Sequence, residues 1–112
     1  MGSRWLPSYD SCEAAIFSVV GNIYRSDAAQ EIYATLLPGD RVILAREPDN
    51  EYDETAVKVL AKRCKIGYIP AEYSSQIYWH IGLNLIAGGC VYTPSDGNCK
   101  GLEIVLFIKP HS

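Results

Sequence analysis

Five carboxylates fall between residues 47 and 54, at Glu47, Asp49, Glu51, Asp53 and Glu54, with Pro48, Asn50 and Tyr52 set among them. Three chemistries could use such a run. The alternating acids at 49, 51 and 53 suggest a calcium loop, but one starting at Asp49 requires Gly at its sixth position and Glu at its twelfth. This chain has Glu54 and Leu60 there. Paired carboxylates could hydrolyse a bond, but the loop holds no His, Lys or Cys to serve as nucleophile or tuned base, so an enzyme is not expected. The third reading is a recognition loop. Pro48 fixes φ, and Asp49 and Asn50 tolerate tight turns, which projects Asn50, Tyr52 and Asp53 from the body. Tyr52 could then face a ligand or pack beneath the loop. Asp53 could accept from a ligand, or hold the turn by accepting backbone N–H bonds as Asx residues do. The local residues leave both arrangements open.

The elements that must carry this loop can be read from periodicity. Residues 14–24 mix β-branched and aromatic side chains and read as a strand, with Gly21 marking a bulge or close approach. Between Ser26 and Leu37 the period becomes helical: Asp27 and Gln30 resemble a capping box, and Ala29, Ile32, Tyr33, Leu36 and Leu37 share an apolar face. Pro38-Gly39 ends that helix. Arg41 to Arg46 is a strand with Val42 and Leu44 on one face. Two more strands, Ala56 to Leu60 and Lys65 to Ile69, follow the acid loop and are joined by a basic turn. Pro70 suits a helix start, and Tyr73, Ile77 and Ile81 recur four apart. Trp79 and Ile81 are assigned to packing of this helix. Gly88-Gly89 is expected to break the chain before a strand from Gly89 to Tyr92. A loop from Thr93 to Gly101 and a last strand from Leu102 to Lys109 complete it. The fold class expected is mainly β with two short helices, an OB-like partly open β-barrel, with residues 1–13 as a tail and 14–112 as one domain.

A chain of 112 residues, 48% of them hydrophobic, is one domain with a core of its own. Eight tyrosines against two phenylalanines suit a wet binding surface. The formal charge of -3 argues against broad, non-specific nucleic-acid binding, so any such contact must be local and short. Lys62, Arg63 and Lys65 form the densest basic cluster; in a turn they are solvated, within reach of a long nucleic-acid tail. Cys12, Cys64, Cys90 and Cys99 make no C-x-x-C pair, and His80 and His111 do not complete a zinc set. Reduced cysteines, no metal and no cofactor are expected. There is no signal peptide, membrane-length apolar run or myristoylation pattern, so the chain is expected in the cytoplasm or nucleus and away from membranes.

Gly21 with Tyr24, Gly39-Asp40, Arg46 to Asp53, Ala56-Val57 and Ile66 to Pro70 occur in an order that resembles the HIRAN domain. This is a small module of some Swi/Snf-type DNA translocases and of bacterial proteins. The resemblance runs from about Phe17 to Pro110. It implies a non-catalytic, zinc-independent module that binds the 3′-hydroxyl end of single-stranded DNA in repair or DNA processing, alone or as part of a larger helicase or nuclease system. No small-molecule substrate is implied. By position, Tyr24 and Tyr52 are the rings that sandwich the terminal base, Asp53 meets the 3′-hydroxyl, and Asn50 helps hold the nucleotide. Arg25, Arg46 and Tyr68 complete the expected DNA-binding set. The chain departs from the DNA-binding members where Ile23 replaces an arginine, Tyr68 a histidine and Ala71 a lysine. These losses, with the acidic balance, favour the alternative of a protein-interaction domain that kept the fold without DNA binding.

Overall fold

The computed structural model describes residues 11–20, 31–32, 34–93 and 101–110. Among the described residues six strands form two antiparallel three-stranded sheets. In the first, β1 (Glu13–Ser18) and β5 (Ile86–Thr93) flank β6 (Glu103–Ile108); the second is a meander of β2 (Ile43–Glu47), β3 (Ala56–Ala61) and β4 (Cys64–Tyr68). A helix, α1 (Ala71–Gly82), connects β4 to β5. Glu13, expected in the tail, is the first residue of β1. Of the earlier expected helix, residues 31–32 and 34–35 are helical; Asp27, Gln30 and Ala29, and the side chain of Tyr33, lie outside the described residues. Leu36 is buried, but Leu37 faces solvent, because the turn to Asp40 begins there: Leu37 N–H donates to Asp40 Oδ2 and Asp40 N–H donates back to Leu37 O.

The two sheets meet edge to edge at both sides, each time through an isolated bridge. Val20 pairs with Tyr68, and Arg41 pairs with Cys90. Backbone bonds from Gly39 to Val91, Val91 to Asp40 and Val42 to Gly89 extend the second junction. No continuous ladder closes a barrel among the described residues; two sheets touch at their rims instead. Between them lies an apolar core of Val57, Val59, Ile66, Ile77, Val91, Ile104 and Leu106, each 1% exposed or less. Their alternation along β3 and β6 follows from the period-two geometry of a strand.

Two glycines are required by close approach. A Cβ on Gly89 would stand 2.8 Å from Leu106 Cδ2 and 3.1 Å from Val42 Cγ2, where the sheets converge. Gly88-Gly89 therefore does not break the chain as expected: both lie inside β5, which opens with a register shift between Ile86 and Gly88. A Cβ on Gly67 would come within 2.5 Å of Val19 Cγ1 and 2.7 Å of Val20 O, so only glycine admits the β1-side bridge. Trp79 is 60% exposed and meets the Tyr78 ring edge-on at 5.4 Å, so it does not pack α1 onto the body. Ile77 and Ile81 do that. No helix among the described residues is long and apolar enough to cross a membrane.

Candidate nucleic-acid interface

The acid loop is built by its own side chains. Asn50 Oδ1 accepts from Tyr52 N–H at 2.9 Å and from Asp53 N–H at 3.0 Å, while its Nδ2 donates to Glu47 Oε1 at 2.7 Å. Asn50 is thus the internal brace of the loop. It leaves the Tyr52 ring with almost nothing to touch, and Tyr52 is 90% exposed. Burying that ring would have favoured folding; the loop instead holds it in water.

Asp53 faces the body. Its Oδ1 accepts from Thr55 N–H at 2.9 Å and Thr55 Oγ1 at 2.8 Å, and its Oδ2 accepts from Ser74 Oγ at 2.7 Å. Ser74 is buried on α1, so this bond fastens the loop to the helix. The Ser74 hydroxyl and the two Thr55 donors lower the Asp53 pKa from its ordinary value, against a smaller opposing effect of burial. A carboxylate offers about four lone-pair sites. Among the described residues three donors reach it, two on Oδ1 and one on Oδ2.

Behind the loop, Tyr68 on β4 donates its hydroxyl to Glu47 Oε1 at 2.7 Å and accepts from Lys65 Nζ at 3.1 Å. Lys65 also stands 5.0 Å over the Tyr68 ring, and Lys58 lies 4.0 Å from Glu47 Oε2. The Asn50 and Tyr68 donors hold the Glu47 carboxyl below its usual range, with burial opposing and Lys65 and Lys58 assisting. The Tyr68 bond raises the Lys65 pKa against the effect of burial. This end of the sheet is therefore one network of a carboxylate with two ammonium groups, with Glu51 and Glu54 left on the exposed rim.

Tyr52, Asp53, Asn50 and Tyr68 line one pocket of about 220 Å³, with Val20 and Ile69 as apolar walls. Ala71 also borders it. The exposed Tyr52 and the half-buried Asp53 thus share one pocket. Arg46 lies elsewhere. It alternates to the inner face of β2, stacks over the Tyr78 ring at 4.7 Å and abuts Gly82, docking α1 rather than lining the pocket. Tyr24 and Arg25 lie outside the described residues, as does Gly21. Among the described residues no group of three or more His, Cys, Asp or Glu side chains is placed to hold a metal ion.

Three contributors were not found in the sequence. Thr55 had a readable signal, the Asx/ST spacing of Asp53 and Thr55. Ser74 and Val20 had none, because their places depend on contacts far along the chain. The sequence profile of the HIRAN domain matches residues 13–107. The chain belongs to the HIRAN domain family. This family is associated with nucleic-acid binding.

Two solved structures share the fold. A Lactobacillus plantarum protein determined as a structural-genomics target superposes with a TM-score of 0.69 at 25% identity, over 87% of this chain and 98% of that one. The HIRAN domain of human HLTF superposes with a TM-score of 0.59 at 24% identity, over 86% of this chain and 76% of that one, a likeness of fold. No curated protein matches the chain by sequence.

Proposed function

We propose that this HIRAN domain is a non-catalytic module that receives the 3′-hydroxyl end of single-stranded DNA in the pocket between Tyr52 and Tyr68. The observation that carries the reading is the pairing of a ring held open to solvent with a carboxylate whose Oδ2 takes a single donor among the described residues. Tyr52 offers a π-face to any base, since base–aromatic stacking is indifferent to sequence and contributes about 1–3 kcal/mol. Tyr24 is the ring assigned to the opposite face by the family resemblance. Asp53 accepts from a terminal hydroxyl and repels a terminal phosphate. The apolar walls at Val20 and Ile69 shelter the sugar and remove water from that contact.

The test compares affinities at low salt for a short strand with a 3′-hydroxyl, the same strand with a 3′-phosphate, and a blunt duplex. The hydroxyl strand binds best, and Tyr52→Ala weakens it. Asp53→Asn keeps the bonds to Thr55 and Ser74 feasible but removes the charge, so it narrows the gap between hydroxyl and phosphate ends. Equal, negligible affinity for all three ligands refutes end recognition and leaves a protein-interaction domain on this fold.

A further inference from the structure

The outer face of the second sheet gathers cations that the chain's net charge conceals. In the β2–β3–β4 register, Ala45, Lys58 and Tyr68 form one cross-strand row and Ile43, Leu60 and Lys65 the next. The rows lead away from the pocket toward the β3–β4 turn at Lys62 and Arg63. Lys65 joins this face because the register shifts between Val59 and Leu60, leaving Ile66 as the extra residue of β4. At the far end a groove of about 360 Å³ is floored by Ile43 and Leu60 and rimmed by Arg41, Lys62 and Arg63. Lys62 and Arg63 both adopt left-handed backbone, at φ 51° and 67°. A two-residue turn of this geometry ordinarily carries Asn-Gly, yet two long cations stand there. Five of the ten Lys and Arg residues, at 41, 58, 62, 63 and 65, thus lie along one side of a protein whose formal charge is -3. Glu47 on the same face offsets one of these charges: it is bonded to Asn50 and Tyr68 and lies 4.0 Å from Lys58, while Asp40 at the groove accepts from Leu37 N–H.

We infer that this face is a track for the single strand 5′-ward of the bound end, running from the pocket over Tyr68, Lys58 and Lys65 into the groove at Lys62 and Arg63. The inference rests on the end-binding reading above, which fixes the polarity: with the 3′ terminus in the pocket, the backbone leaves in the 5′ direction. Charge complementarity names the occupant. A row of separated cations over an apolar floor matches phosphates spaced along a strand with sugars and bases between them. From Ala56 to Ala61 the sheet provides about 16 Å of path, at about 3.3 Å per residue. The chain's acidity then acts to keep duplex and non-specific DNA off the remaining surface, while this one face stays attractive.

Strand length and salt separate the track from the pocket. Affinities are measured for 3′-hydroxyl and 3′-phosphate strands of about two and about ten nucleotides, the longer being within the span such surfaces take, across a salt series. The protein is the whole chain and the variant is Lys62→Gln/Arg63→Gln, with thermal melts checking that it folds. The ten-nucleotide strand binds more tightly and with a steeper salt slope. For it alone the variant reduces the slope by about 1.4, two contacts at about 0.7 each on single strands. Taken from 1 M to 0.1 M salt, that slope is a loss of about 25-fold in affinity. A preserved hydroxyl preference with no effect of length or of the variant overturns the track and leaves the pocket standing. Loss of the hydroxyl preference at both lengths overturns the end-binding reading itself, and with it the polarity assigned here.

Discussion

Replacing Ser74 by alanine isolates the bond that fastens the acid loop to α1. Ser74 Oγ lies 2.7 Å from Asp53 Oδ2 and 3.1 Å from Ala71 O, and the hydroxyl's single proton goes to the carboxylate. A hydrogen bond to a charged group contributes about 1.5–3 kcal/mol. Alanine recovers about 0.5 kcal/mol of helix propensity. Asp53 is half-buried, so water screens part of the charge and the lower end of the range applies. The expected cost is about 1–1.5 kcal/mol at neutral pH, read as a lower urea midpoint with unchanged slope. The loss also has a pH signature. The native Asp53 pKa is lowered, chiefly by the Ser74 donor. A carboxyl whose folded pKa is depressed contributes stability that is complete above its unfolded value, about 3.9, and is lost as pH falls through the depressed one. Wild type and Ser74→Ala therefore differ fully at pH 7 and converge as the pH drops below about 4. A difference that does not shrink anywhere on the acid limb below the unfolded value, or one below about 0.5 kcal/mol at pH 7, would refute the assignment of this bond.

Other substitutions test the remaining parts. Because its ring is 90% exposed, Tyr52→Ala should change stability by less than about 0.5 kcal/mol, yet weaken binding of a 3′-hydroxyl strand about 5- to 150-fold, measured by fluorescence anisotropy. Gly67→Ala places a methyl 2.7 Å from Val20 O and breaks the paired bonds between Val20 and Tyr68. Overpacking costs about 1–3 kcal/mol and the two bonds about 1 each, so a melting-temperature drop beyond about 8 °C is expected, together with weaker end binding through displacement of Val20. Lys62→Asn/Arg63→Gly relieves two left-handed residues and should stabilise the fold by about 1–2 kcal/mol, while lowering affinity for long strands more than for short ones.

The candidate site was partly legible because some of it is local. Pro48, Asp49 and Asn50 announce a turn, and Asn50, Tyr52 and Asp53 are spaced so that one amide can bond two successive backbone N–H groups. The Asp53–Thr55 turn was readable on the same ground. Two uses of Tyr52 and Asp53 were open in the sequence; the structure shows the turn-holding one for Asp53, whose Oδ1 accepts from both Thr55 donors. Arg46 was misleading because a strand-end arginine next to an acid loop looks like part of it, whereas strand alternation sends it to the opposite face, over Tyr78.

What the residue order determined by itself was the set of strands with period-two burial, the helix after Pro70 and the braced acid loop, all of which depend on interactions between near neighbours. What tertiary structure alone decided was which distant residues meet. Strict alternation along Lys65-Ile66-Gly67-Tyr68 would put Lys65 and Tyr68 on opposite faces. The β-bulge turns Lys65 onto the face of Tyr68, where their polar atoms lie 3.1 Å apart. Ser74 likewise reaches Asp53 across 21 residues. The reason is pairing register in the first case and the docking of α1 against the second sheet in the other; both are fixed by packing across the whole molecule and leave no mark in a short stretch of chain.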